Sequence, residues 1–341
     1  MKELIRTNDA VLLSFAESLM KDAGIGCFIA DQDMSILEGS LGLLPRRFLV
    51  AEDDADRARR ILIDAGLELN CGNDRLRPFR EAESGMTGIP ETVDAFHRGR
   101  FHLIQPLGQG HRSGMDAMLV ASLVSCRGAC RVADLGAGAG AAGMAVASRI
   151  EEAEVLLVER SPVMADFARR SLALPENAHL ADRVSVLEAD VSLSGKARAA
   201  AGLPDDTFDH VIMNPPFNDA ADRRTPDRLK AEAHAMSGDL FEAWIKTAGA
   251  IMKPGGQLSL IARPESIAGI IGACGRRFGG LEITPLLPRA GENAVRILVS
   301  AIKQSRKRLA LRAPLVMHGE GHRFSPEVDD LNNGRAAYHR R

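Results

Sequence analysis

Residues Val211-Ile212-Met213-Asn214-Pro215-Pro216-Phe217 constrain this chain more than any other stretch. An apolar run that reads as a buried strand stops at two consecutive prolines. Proline has no N–H and a fixed φ, so no ladder continues through such a pair. The backbone has to turn out at the strand's carboxyl end, which in an open α/β sheet is where ligands collect. The turn carries the Asn214 amide oxygen, the Pro215 carbonyl and the flat ring of Phe217. Two acceptors beside a stacking surface suit a planar group that bears an NH2. The competing reading is a turn that does nothing but end a strand.

What surrounds that turn follows a β-α-β rhythm. Strands are expected at 132–135, 154–158, 184–187, 209–213 and 257–262, and a closing pair at 282–287 and 294–302. Helices should fill the intervals, one of them opening on Ser161-Pro162 with serine as the cap. The expectation is a seven-stranded, doubly wound, Rossmann-like α/β sheet. Residues 1–70 read as a separate α+β module in the order βαββα, with strands at 2–6, 27–30 and 46–50. Residues 71–92, rich in turn formers and mixed in charge, read as a linker. The sheet domain should then occupy 93–320, with 321–341 a flexible tail.

Three strand ends carry candidate ligand contacts. Asp134-Leu135-Gly136-Ala137-Gly138-Ala139-Gly140 follows the first strand of the sheet. Its glycines would let backbone N–H groups and a helix N-terminus approach a ligand. Gly138, Gly140 and Gly143 also spell the dinucleotide pattern G-x-G-x-x-G. Asp134 argues against a pyrophosphate there and for a ligand with an ammonium and a sulfonium, as in S-adenosylmethionine (SAM). Glu159, at the end of the next strand, can accept from both ribose hydroxyls. Asp190, after the third, could accept the adenine amine or merely cap a helix.

Taken in order, DLGAGAG, VER, EAD and NPPF resemble the class I SAM-dependent methyltransferases that modify exocyclic or amide nitrogens. With GQGHRSGMDAMLVAS ahead of the glycine loop, the resemblance points to bacterial tRNA adenine-N6 methyltransferases acting next to the anticodon of a valine tRNA. It implies SAM as cofactor, Asn214, Pro215 and Phe217 as the catalytic turn, and a helix carrying Met115-Asp116-Ala117 packed over the SAM pocket, with Asp116 among the cofactor-binding residues. Residues 1–70 resemble a PII-like signal-transducing family. Release-factor glutamine methyltransferases and rRNA guanine-N2 methyltransferases share the chemistry and stay open. So does a signal-sensing module on a degenerate scaffold.

Net charge is −2, so RNA binding would need a local patch. Lys303, Arg306, Lys307 and Arg308 supply one after the last strand, expected beside the active-site edge, and tRNA is the expected partner. Arg223, Arg224, Arg228 and His234 follow the NPPF turn. No run is long and apolar enough to span a membrane, and the N-terminus does not read as a signal peptide. Five scattered cysteines, Cys27, Cys71, Cys126, Cys130 and Cys274, read as reduced cytoplasmic thiols with no structural metal.

Overall fold

A computed structural model describes residues 2–7, 16–17, 20, 23–30, 46–64, 89–106, 113–215, 238–319 and 323–338. The chain forms two compact units, Met1–Glu83 and Ser84–Arg341.

In the first unit, β1 (Lys2–Thr7), β2 (Cys27–Ala30) and β3 (Arg46–Val50) form an antiparallel sheet in the order β1-β3-β2. Strict alternation would bury only one of Leu4 and Ile5. Both are buried, because the register slips between Glu3 and Ile5 and turns adjacent side chains inward. With Met20, Phe48, Val50 and Leu62 they make the unit's core. Leu62 comes from helix α1 (Ala55–Asp64). Most of the helix expected between the first two strands lies outside the described residues.

The second unit opens on a hairpin, β4 (Glu91–Phe96) and β5 (Phe101–Pro106). The expected linker therefore gives way to strand at Glu91, two residues early. Helix α2 (Met115–Ser122) leads into the main sheet. The sheet's principal strands are β6 (Cys130–Leu135), β7 (Ala153–Glu159), β8 (Val184–Glu188), β9 (Phe208–Met213), β10 (Met252–Ala262), β11 (Phe278–Leu287) and β12 (Arg296–Lys303). These are the seven expected strands. Two short ones, β13 (Ala310–Leu311) and β14 (Leu315–Val316), add to β11 and make nine. The order is β13-β11-β12-β10-β9-β6-β7-β8. Strand β6 pairs in parallel with β7 on one side and β9 on the other, so strand order reverses there. Such a switch point opens a crevice at the carboxyl ends, here beyond Leu135 and Met213.

Between the strands run α3 (Ala141–Arg149), α4 (Pro162–Leu172), α5 (Gly195–Ala200), α6 (Gly238–Ile251) and α7 (Ile267–Cys274). Large apolar cores form on both faces of the sheet, as a sheet buried on both sides requires.

Two expectations fail in this unit. The C-terminal stretch is not a loose tail. Helix α8 (Pro326–Asn332) starts at Ser325, whose hydroxyl accepts from the Val328 N–H, and Val328 and Leu331 enter the core. Tyr338 N–H then donates to the Ser122 carbonyl at 2.9 Å. Cys126 and Cys130 are not free thiols but a disulfide. The loop after α2 folds back on itself and brings their Cα atoms to 6.2 Å, within reach of a bridge. Cys27 and Cys274 are free, and Cys71 lies outside the described residues.

Candidate active site

The crevice is built from three strand ends and the glycine loop. Asp134, the penultimate residue of β6, has 2% of its surface exposed, and its Oδ2 accepts the Gly143 N–H at 2.8 Å. Any side chain at Gly143 would collide with Leu157 and crowd that carboxylate, so glycine here lets α3 sit close against β6 and β7. Burial pushes the Asp134 carboxyl up to about 7, opposed by the Gly143 bond and assisted by the nearby Glu159 charge. Asp134 braces the start of α3 through the Gly143 N–H.

Glu159 is the hinge of the cofactor side. Its Oε2 accepts from Gly138 N–H and its Oε1 from Ser161 N–H, both at 2.8 Å. One carboxylate therefore ties the glycine loop to the head of α4. Ser161 occupies the cap position as expected, but its hydroxyl makes no capping bond; its N–H is what is used. Each Glu159 oxygen keeps a lone pair for a ribose hydroxyl. Asp190 Oδ1 accepts the Ser192 N–H at 2.8 Å in a local turn and leaves Oδ2 for a ligand; the cap position of the helix that follows, α5, is Ser194 and not Asp190.

Gly136 and Gly138 both hold left-handed φ, +72° and +57°. A Cβ at Gly136 would stand 2.3 Å from the Trp244 ring, so the indole of α6 lies directly on the loop. Trp244 is a site residue that motif reading missed. Its only signal was being the chain's single tryptophan, on the helix that follows the NPPF stretch.

On the acceptor side, Asn214 follows β9 directly. Its Oδ1 is buried and, among the described residues, has no hydrogen-bond partner. Pro215 beside it is buried. Phe217, Pro216, Arg223, Arg224, Arg228 and His234 lie outside the described residues. Asp116, at the start of α2, accepts from Arg296 Nε at 3.1 Å. That ion pair fastens α2 to the first residue of β12, at the same edge of the sheet.

The basic run does not sit where it was expected. Strand β12 runs antiparallel to β10, with Gln257 opposite Ile302 and Ala262 opposite Ile297. Its end at Lys303 therefore lies at the amino edge of the sheet, away from the crevice. Lys303 Nζ is taken by Asp206 at 2.6 Å and by the Met252 carbonyl, which removes it as a phosphate contact. Among the described residues, no helix is long and apolar enough to cross a membrane, and no cluster of three His, Cys, Asp or Glu could hold a metal.

A family model described as "Methyltransferase small domain" matches residues 115–268, and one described as "Putative prokaryotic signal transducing protein" matches residues 1–66. A crystal structure titled a "predicted O-methyltransferase" from Agrobacterium tumefaciens is 63% identical, covering 66% of this chain and 99% of that one, with a TM-score of 0.59. The chain belongs to the SAM-dependent methyltransferases. Among curated relatives, a "tRNA1(Val) (adenine(37)-N6)-methyltransferase" from Shewanella amazonensis is 30% identical over 167 residues, 49% of this chain and 66% of that protein. A "Release factor glutamine methyltransferase" from Bifidobacterium longum is 33% identical over 137 residues, 37% of this chain and 45% of that protein. The matched stretch thus spans two-thirds or less of these two relatives.

The crevice of this methyltransferase fits its cofactor. Glu159 offers two acceptor oxygens already fixed by backbone, the left-handed glycines keep side chains out of the loop, and Asp190 keeps a free oxygen.

Proposed function

We propose that this chain transfers a methyl group from SAM to an exocyclic amino nitrogen, and that the acceptor is N6 of an adenine in tRNA. The observation that carries the proposal is the Asn214 amide oxygen, buried just after β9 with no hydrogen-bond donor among the described residues. A buried acceptor left unpaired costs about 1–3 kcal/mol. A substrate N–H would remove that cost. With the Pro215 carbonyl beside it, the turn offers two acceptors, which match the two N–H bonds of an amine; a hydroxyl has one. This favours nitrogen over the oxygen named in the Agrobacterium protein's title.

SAM, when bound, supplies a methyl group activated by its positive sulfur. The chain's own residues do the rest. The adenine amine is a poor nucleophile because its lone pair is delocalised into the ring. Accepting both N–H bonds favours a pyramidal nitrogen and stabilises the charge that grows on it. Phe217 is assigned to stack on the base and align it. The methylated amine is acidic enough to lose its proton without a strong base. A base held in a structured loop has to be turned out of its stack first.

A tRNA acceptor is supported by the relatives named above, the glutamine amide of a release factor being the second reading because it presents the same NH2. Mass spectrometry of tRNA nucleosides from cells with and without the protein tests the choice. Loss of N6-methyladenosine is the expected result. An unchanged tRNA profile together with a release-factor glutamine that loses its methyl group only in cells without the protein selects the second reading.

A further inference from the structure

The amino edge of the sheet, opposite the crevice, carries cations of two kinds. Those that serve the fold are paired: Lys253 with Asp209 at 2.8 Å, Lys303 with Asp206 at 2.6 Å, and Arg131 with Glu154 at 3.6 Å. Five others are exposed: Arg276 and Arg277 after α7, and Arg306, Lys307 and Arg308 after β12. Among the described residues, none of these five side chains has an ion pair or a hydrogen bond.

The two segments are held together by backbone. Gln304 N–H donates to the Arg277 carbonyl at 2.8 Å, Gly280 N–H donates to the Lys307 carbonyl at 2.7 Å, and Phe278 pairs with Lys303. A Cβ at Gly279 would stand 2.1 Å from the Ser305 carbonyl oxygen, so the second segment lies flat on the first. Five like charges are thereby kept side by side on a rigid sheet end. Without an ion pair among the described residues, such a cluster suits an external polyanion.

We infer that Arg276, Arg277, Arg306, Lys307 and Arg308 form a second RNA-docking face, which holds the phosphate backbone of a folded RNA while the target base enters the crevice at the other edge. The inference rests on the proposed RNA substrate. Strand β12 runs from the crevice edge at Arg296 to this face at Lys303, roughly 23 Å at about 3.3 Å per residue. A short single strand bound in the crevice does not reach it in a fixed geometry. A structured RNA several helical turns long does. Phosphate contacts of this kind position the RNA and carry no sequence information.

The test uses the full chain, an unmodified valine tRNA transcript, and the transcript's isolated anticodon stem-loop. Binding of each is measured from low to moderate salt for the wild type, for Arg306→Ala/Lys307→Ala/Arg308→Ala, and for Arg276→Ala/Arg277→Ala. The triple variant should bind whole tRNA about tenfold or more weakly, with a log–log salt slope shallower by about 2. The double variant should show a smaller change of the same sign. SAM affinity and stem-loop binding should hold in both variants, which also shows that both are folded. Equal tRNA binding and salt slope in all three proteins would overturn the docking face while leaving the RNA substrate intact. Loss of binding to anionic phospholipid vesicles with tRNA binding unchanged would also overturn it, in favour of a membrane partner. A wild type that binds no RNA would overturn the substrate reading and the docking face together.

Discussion

The two halves of the crevice are built differently. On the cofactor half, the carboxylates at the ends of β6 and β7 are already held by backbone. Asp134 takes the Gly143 N–H, and Glu159 takes those of Gly138 and Ser161. On the acceptor half, the Asn214 oxygen is buried and has no donor among the described residues. The first half is assembled before any ligand arrives. In the function proposed, the second is completed by the substrate. Groups on the cofactor half should therefore govern SAM affinity, and the group on the acceptor half should govern turnover.

The largest effect should come from Asn214→Ala. Turnover should fall by about 10²–10³, in line with losing one preorganised contact to the transition state. SAM affinity, read by calorimetry, should be unchanged. A loss confined to SAM binding would erase the contrast between the halves.

Glu159→Ala should do the reverse, weakening SAM by about 1–3 kcal/mol through unpaired ribose hydroxyls and a loosened loop. Calorimetry with SAM and with NAD checks this. Tight NAD binding without SAM binding would break the account of the cofactor half.

Asp134 sharpens the comparison through pH. Its carboxyl is raised to about 7 from an ordinary value near 4. Between those values the folded protein holds a proton that the unfolded chain has lost. This group's contribution to stability should therefore fall as pH rises towards 7 and level off above it. The positive charges of SAM favour the ionised form, so SAM affinity should weaken below pH 7, by at most about tenfold per unit. Asp134→Asn keeps an acceptor for the Gly143 N–H and removes the titration. Its SAM affinity should be flat across pH 5.5–8. A pH dependence that survives the substitution would move its origin to another group.

The smallest effect is expected at Asp116. Its Oδ2 is occupied by Arg296, so it fastens α2 to β12. Asp116→Asn should change SAM affinity by less than about 1 kcal/mol, consistent with a partly exposed ion pair. A larger loss would return Asp116 to the direct cofactor contacts that the family resemblance assigned to it.

Most of the sheet could be read from the chain, because its buried parallel strands are near-continuous apolar runs bounded by glycine and proline. The order of catalytic edges could not. Whether residues after β12 lie beside the crevice depends on β12 running antiparallel to β10, a pairing that no local pattern encodes. The C-terminal helix was hidden by its polarity, since only Val328 and Leu331 carry it into the core. Glu159 and Asn214 were legible because each directly ends a strand. Trp244 was not, because its contact with Gly136 crosses more than a hundred residues of sequence. The Cys126–Cys130 pairing was missed because composition speaks to compartment and not to how a loop folds back.

The central claim is that the buried Asn214 oxygen awaits an amine. It is tested most directly by incubating the protein with labelled SAM and unmodified valine tRNA, digesting the product, and locating the methyl group. The account predicts N6-methyladenosine from the wild type and about 10²–10³ less from Asn214→Ala under the same conditions. A methyl group on a ribose or other oxygen, or an Asn214→Ala protein as active as the wild type, would contradict it.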